Sequence, residues 1–189
     1  AGVAAIVELA ALLEANPQVP HGPIALGFTV DEEIGNGAER FDVERFGAAY
    51  AYTLDGGAEG EFEYENFNAA AAVVTFKGRN VHPGSAKDKL VNAALLAADY
   101  ACRLPGAERP EHTEGREGFY HLTKMSGNTE EARLDFIIRD HDRDVFEARK
   151  GKMQAIAEEM NDELGEARVT VELRDQYYNM IEQIRPYPE

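Results

Sequence analysis

Apolar positions recur at helical spacing over residues 1–16, where Val3, Ile6, Val7, Ala10 and Leu13 share one face. That pattern stops at Asn16-Pro17, as a helix must before proline. The run Pro23-Ile24-Ala25-Leu26-Gly27-Phe28 then predicts a buried strand over residues 24–29. Asp42-Val43-Glu44-Arg45-Phe46 predicts a short helix closed by Gly47, and residues 49–54 predict a second buried strand. Helix, strand, short helix, strand is the alternation expected of a mostly parallel α/β sheet. Residues 59–67 alternate more strictly. Glu61, Glu63 and Glu65 oppose Phe62 and Tyr64, which predicts a half-exposed strand with a solvated acidic face.

A second unit begins near Asn68. A strand is predicted over residues 69–77, a turn-rich loop over 78–84, and an amphipathic helix over 90–103. Leu90, Val91, Ala94, Leu95, Ala98 and Cys102 share a face of that helix and are expected to point inward. Strands are predicted over 119–125 and 133–139, joined through Ser126-Gly127-Asn128. A long helix over 142–164 carries Phe146, Met153, Ile156, Met160 and Leu164 inward, and a last strand covers 168–173. The order βαββαβ predicts a two-layer, ferredoxin-like sandwich of one sheet and two helices.

Composition narrows the function classes. The chain has 189 residues and a formal net charge of −16, which argues against nucleic acid or an anionic membrane as partner. Its single cysteine, Cys102, rules out an intrachain disulfide and suits a reducing, cytoplasmic setting. Cys102 is expected to be a small core residue rather than a nucleophile. No apolar run is long enough to span a membrane. The first helix opens without a capping residue and Arg185-Pro186-Tyr187-Pro188-Glu189 closes nothing, so the chain is expected to be an internal piece of a longer protein.

The candidate chemistry lies at the predicted strand ends. Asp31, Glu32 and Glu33 follow the first strand, and Asp55-Gly56-Gly57 follows the second. Carboxylates gathered at the carboxyl edge of a parallel sheet repel one another, and a divalent metal relieves that repulsion. A solvated acidic turn remains the competing reading of the triplet alone.

Six stretches, in order, carry a family resemblance. Thr29-Val30-Asp31-Glu32-Glu33-Ile34-Gly35, Tyr52-Thr53-Leu54-Asp55-Gly56-Gly57 and Asn80-Val81-His82-Pro83-Gly84 resemble the zinc aminoacylase/carboxypeptidase superfamily. Glu117-Gly118-Phe119-Tyr120-His121-Leu122, Ile137-Ile138-Arg139-Asp140 and Tyr177-Tyr178-Asn179-Met180 resemble its bacterial tripeptide aminopeptidases. The resemblance implies part of a mostly parallel-sheet zinc-peptidase catalytic domain over residues 1–66. It implies an inserted βαββαβ lid and dimerisation domain over 67–176, and a return into the catalytic domain over 177–189.

The same resemblance implies roles. Glu32 would be the general base, Glu33 a ligand of one zinc and Asp55 a ligand of the other. A bridging aspartate and two zinc-binding histidines are expected outside residues 1–189, so the chain alone would be inactive. His82 would stabilise the developing oxyanion, from its own chain or from a partner copy; a plain loop histidine is the alternative. Arg139 would pair with a peptide's C-terminal carboxylate; an ion pair with Asp140, Asp142 or Asp144 is the alternative. Asn80 and Asn179 would hydrogen-bond the peptide backbone. The implied cofactors are two zinc ions, replaceable by cobalt or manganese in vitro. The implied partners are a small peptide and a second copy through the lid. A dipeptidase, a deacylase of N-acyl amino acids, and a non-catalytic peptide-binding or dimerisation module are the rival functions.

Overall fold

The strand over Asn68–Lys77, β1, alternates between buried and half-buried positions, and both its edges are paired. In this computed structural model, residues 2–30, 33, 37–38, 40–55 and 57–187 are described. The chain divides into two compact units, Ala1–Phe62 and Glu63–Glu189.

In the first unit, α1 (Gly2–Ala15) and α2 (Val43–Phe46) form as the pattern predicts. Ile6, Ala10 and Leu13 are the half-covered face of α1, and none of its residues is fully buried. Asp42 caps α2 by accepting from the Arg45 N–H at 2.9 Å. Gly27 lies under the Phe41 and Phe46 rings, which meet edge to face at 5.1 Å. The predicted parallel strands are a different matter. Among the described residues the first unit contains no strand, so residues 24–29 and 49–54 join no ladder, and Ala49 and Tyr50 lie in a bend. Ile24, Leu26, Phe28, Tyr50, Tyr52 and Leu54 are all exposed. A buried strand needs neighbours for its N–H and C=O groups and a layer over its side chains. The described residues supply neither. Residues 59–67 also form no strand.

The second unit follows the predicted βαββαβ order. It consists of β1, α3 (Ala93–Arg103), β2 (Phe119–Gly127), β3 (Glu131–Asp140), α4 (Arg143–Leu164) and β4 (Val169–Tyr177), then a single turn, α5 (Ile181–Ile184). The sheet is antiparallel with spatial order β2-β3-β1-β4. Ala70, Ala72, Val74 and Phe76 of β1 point into the core under α3 and α4, with Leu134, Phe136 and Ile138 beside them. The two alanines leave room for the helices to approach. Tyr100 of α3 packs edge-on to Phe76, and its hydroxyl donates to the Met153 carbonyl of α4 at 2.7 Å. Burial raises the Tyr100 pKa well above the usual tyrosine range.

Local signals set the element ends. Asn92 caps α3, and Asp142 caps α4 by accepting from the Asp144 and Val145 N–H groups. Gly165, at φ +69°, ends α4 in the left-handed conformation. Gly127, at φ +152°, closes the β2–β3 turn; a Cβ there would lie 2.5 Å from the Ala132 Cα.

The inward face of α3 differs from the expected one. Ala93, Ala97 and Tyr100 are buried, whereas Leu95 is 68% exposed and Cys102 is exposed. The helix starts after Asn92 rather than at Leu90, and its buried stripe runs 93, 97, 100, 104. That stripe is rotated by about 100°, one residue, from the predicted one. Cys102 is therefore not a core residue. In α4 the predicted face holds, except that Leu164 is only half-buried and Lys150 is buried as well, paired to Asp175 and Glu147.

Three asparagines tie together the ends of the sheet where the chain enters β1 and leaves β4. The buried Asn68 amide donates to the Asp140 and His141 carbonyls at 3.0 and 3.1 Å, and its oxygen accepts from the Asn179 N–H at 2.9 Å. Asn66 accepts from the Met180 N–H and donates to the Tyr178 carbonyl. Asn179 accepts from the Asn66 and Ile181 N–H groups and donates to the His141 carbonyl.

Asn68→Ala removes the side-chain partner of the buried Asp140 carbonyl and of the Asn179 N–H, and one of the two donors to the His141 carbonyl, and should cost about 2–3 kcal/mol of stability. The exposed Asn80→Ala should stay within about 0.5 kcal/mol. Urea unfolding of both variants compares them directly.

Candidate functional site

The two predicted ends of the site are of different kinds. At the acidic end, Glu32 lies outside the described residues, and so do Asp31 and Gly56. Glu33 and Asp55 are described, and both are exposed. Their carboxylate oxygens are donors that zinc accepts. Among the described residues, however, no group of three or more His, Cys, Asp or Glu side chains is placed to hold a metal ion. Structural and catalytic zinc sites take three or four protein ligands. The donors therefore fit the ion in kind, and the described set is incomplete in number.

His82 sits on the loop after β1. That loop is closed at its base by a bridge between Arg79 and Val91, with N–H···O distances of 2.8 and 3.0 Å. The Arg79 Nε adds a bond to the Lys89 carbonyl at 2.7 Å. His82 caps a 3-10 turn over Pro83–Ser85, and its Nδ1 accepts from the Gly84 N–H at 3.1 Å. A neutral imidazole whose Nδ1 accepts must carry its proton on Nε2. The exposed ring therefore presents an Nε2–H donor outward, the group an oxyanion needs. Asn80, on the same loop, donates to the Glu130 side chain of the β2–β3 turn at 3.3 Å.

Arg139 lies at the other end of the sheet. Its guanidinium donates to the Ile138 carbonyl at 2.9 Å and the Ala70 carbonyl at 3.4 Å, and lies 5.5 Å from the centre of the Tyr177 ring. The ion pair with Asp140, Asp142 or Asp144 does not form. Asp140 bonds Arg149 instead, at 2.7 Å, and Asp142 caps α4. Among the described residues Arg139 has no carboxylate partner. Asn179 stands at this end too, but it is buried and its amide is engaged in the asparagine clasp.

The register measures the gap between the two groups. Arg139 pairs with Ala69, whereas the His82 loop leaves from Lys77. Eight residues of strand at about 3.3 Å each separate them by about 26 Å. A tripeptide, at about 3.3–3.6 Å per residue, spans less than half of that. The register thus sets Arg139 and the root of the His82 loop further apart along the strand than one small peptide extends.

In the sequence Asn66 and Asn68 carry no marked role, and His141 reads there as a packed or exposed histidine without function. A visible signal was the recurrence of asparagine just before β1 and just after β4. His141 stacks on Phe67 with ring centres 4.0 Å apart, and its Nδ1 is buried without a hydrogen-bond partner among the described residues. Burial lowers its pKa first, and the Arg116 charge lowers it further; Asp140 opposes them.

An unfolded chain therefore takes up a proton at His141 before the folded one does, starting near the ordinary value of about 6.5. Stability should be full above that pH and should fall as the pH drops through it toward the lowered folded value. His141→Gln should flatten this part of the profile, as read from urea midpoints at about pH 7.5 and about pH 5.5.

The family model described as "Peptidase dimerisation domain" matches residues 64–168. "Peptidase T" of Geobacillus sp. (strain WCH70) is 53% identical over 189 residues, 100% of this chain and 46% of that protein. "Peptidase T" of Ligilactobacillus salivarius is 59% identical over 181 residues, 96% of this chain and 44% of that protein. The chain thus spans about half the length of the curated relatives it matches. The aminopeptidase PepT structure from Bacillus cereus superposes with a TM-score of 0.77 at 26% identity, covering 94% of this chain and 48% of that one. A tripeptidase structure from Staphylococcus aureus gives a TM-score of 0.78 at 23% identity over the same shares, which is a likeness of fold.

Proposed function

The chain belongs to the peptidase dimerisation-domain family, and on that premise we propose that, at the full length of its peptidase T relatives, it is a metal-dependent exopeptidase that releases the N-terminal residue of tripeptides. The observation that carries this reading is the match to peptidase T over every residue of the chain, the acidic segments included. Residues 1–66 would be the metal-binding part of a catalytic domain, 67–176 the lid, and 177–189 the return, in a cytoplasmic enzyme.

Two divalent ions, zinc by this reading, would supply Lewis-acid polarisation of the scissile carbonyl and a more acidic water. Glu33 and Asp55 would each hold one ion. Glu32 takes the proton of the attacking water and delivers it to the leaving amine. His82 donates its Nε2–H to the developing oxyanion, and its Nδ1 bond to Gly84 keeps that tautomer in place. Arg139 receives the peptide's C-terminal carboxylate, and Asn80 and Asn179 complete the substrate-binding set. The engaged amide of Asn179 favours a positioning part for it, through the clasp.

The gap along β1 supports a dimeric site. Because one small peptide cannot reach both ends of one sheet, His82 acts on substrate held by Arg139 of a second copy. This requires a symmetric homodimer. The face for it is the free edge of β2 with α3 beside it, where Met125 is 50% and Leu95 68% exposed.

In the full-length protein, Glu32→Gln should lower tripeptide cleavage by about 10²–10⁴-fold while metal still binds, and a chelator should abolish cleavage. If zinc- or cobalt-loaded protein cleaves no tripeptide, dipeptide or N-acyl amino acid, the enzyme reading fails and a peptide-binding or dimerisation module replaces it. Mixing inactive Glu32→Gln and His82→Ala dimers under subunit exchange should recover about a quarter of wild-type activity, one intact site per mixed dimer. No recovery, with exchange verified by mass, would place His82 in its own chain's site.

A further inference from the structure

One face of the sheet is committed to the helices, and the other carries an unbalanced pair of cations. Ala70 and Ala72 are buried under α3 and α4, so Ala69 and Ala71 and their cross-strand partners lie on the opposite, outer face. Ala69 pairs with Arg139 on one side and Tyr177 on the other. Ala71 pairs with Ile137 and Arg174. On β4, Val171 and Leu173 pack against the core and Asp175 reaches Lys150 of α4 at 2.7 Å. Arg174 therefore shares the outer face with Arg139, one row away across two alanines.

We propose that Arg174 is a second guanidinium for the carboxylate held by Arg139, so that the two arginines grip one ligand carboxylate beside Ala71. On the reading above, which this inference extends, that carboxylate is the C-terminus of the peptide.

Charge balance supports the pairing. Acidic residues outnumber basic ones 35 to 19. Within the helices and strands of this unit, Arg103, Arg133, Arg143 and Arg149 each pair with a carboxylate. Arg139 and Arg174 do not, among the described residues. Like charges placed side by side repel, and an anion between them removes that cost.

Reach supports it too. β3 and β4 flank β1 at about 4.8 Å each, a gap of about 10 Å that two arginine side chains close from either side. Ala71, half-buried between the two arginines, offers no bulk to keep a ligand away, whereas Ala69 in the next row is fully buried.

Two measurements test the assignment. In the full-length protein, Arg174→Ala should raise KM about tenfold for a tripeptide with a free C-terminus, with kcat near wild type and the C-terminal amide unaffected. Arg174 is exposed, so the variant should keep the fold. In the present chain, acetyl-glycylglycine should shift the Arg139 and Arg174 Nε–Hε NMR signals together at millimolar concentration, and its amide should not. Arg174→Ala should weaken the Arg139 shift. An Arg174 signal that ignores the acid, or a free-acid KM unchanged by Arg174→Ala, overturns the inference. Joint shifts in a protein that cleaves no peptide would support the carboxylate site and overturn only the peptidase reading.

Discussion

The pairing of β1 along both edges is the interaction on which this structure rests. Ten residues, from Asn68 to Lys77, take antiparallel neighbours on each side, and their alternation divides the unit into a core face and an outer face. Ala70, Ala72, Val74 and Phe76 are at 0–1% exposure, so the dry layer under α3 and α4 is built on a single strand. The small residues are as important as the large ones. They let the helices approach on one side and leave Arg139 and Tyr177 room to lie over β1 on the other.

The length of β1 also governs what the unit can do. A loop carrying His82 leaves one end, and Arg139, without a carboxylate partner among the described residues, stands at the other. The proposed function joins them through a second copy, in line with the dimerisation-domain family to which the chain belongs. The asparagine clasp sits where the chain enters and leaves the sheet. By filling the hydrogen-bonding capacity of two crossing segments, it fixes the end of the sheet that carries Arg139.

Much of this unit was legible in the sequence because its signals are local and its partners lie within the chain. The βαββαβ order, the long helix over 142–164 and the turn at Ser126-Gly127-Asn128 all agree with the fold. The inward face of α3 was misjudged because Leu90 and Val91 were counted into the helix, which turned the stripe by one residue and brought Cys102 inward. Residues 24–29 and 49–54 carry the composition of buried strands, but a parallel strand is completed by neighbours rather than by its own residues. The arginines at Arg139 and Arg174 show the same limit. Each is visible alone, and only the β1 register sets them side by side. The acidic segment at Glu33 and Asp55 was recognisable by motif, and Glu32 lies outside the described residues.

The most direct test of this account is amide hydrogen exchange on the intact chain, resolved by residue. The amides of residues 70–76 should be the last to exchange, opening only with unfolding of the whole second unit, and together with the core positions of α4. The segments at 24–29 and 49–54 should exchange orders of magnitude faster. Exchange of β1 ahead of the edge strands β2 and β4 would contradict the account, because the sheet would then not be held by its central strand.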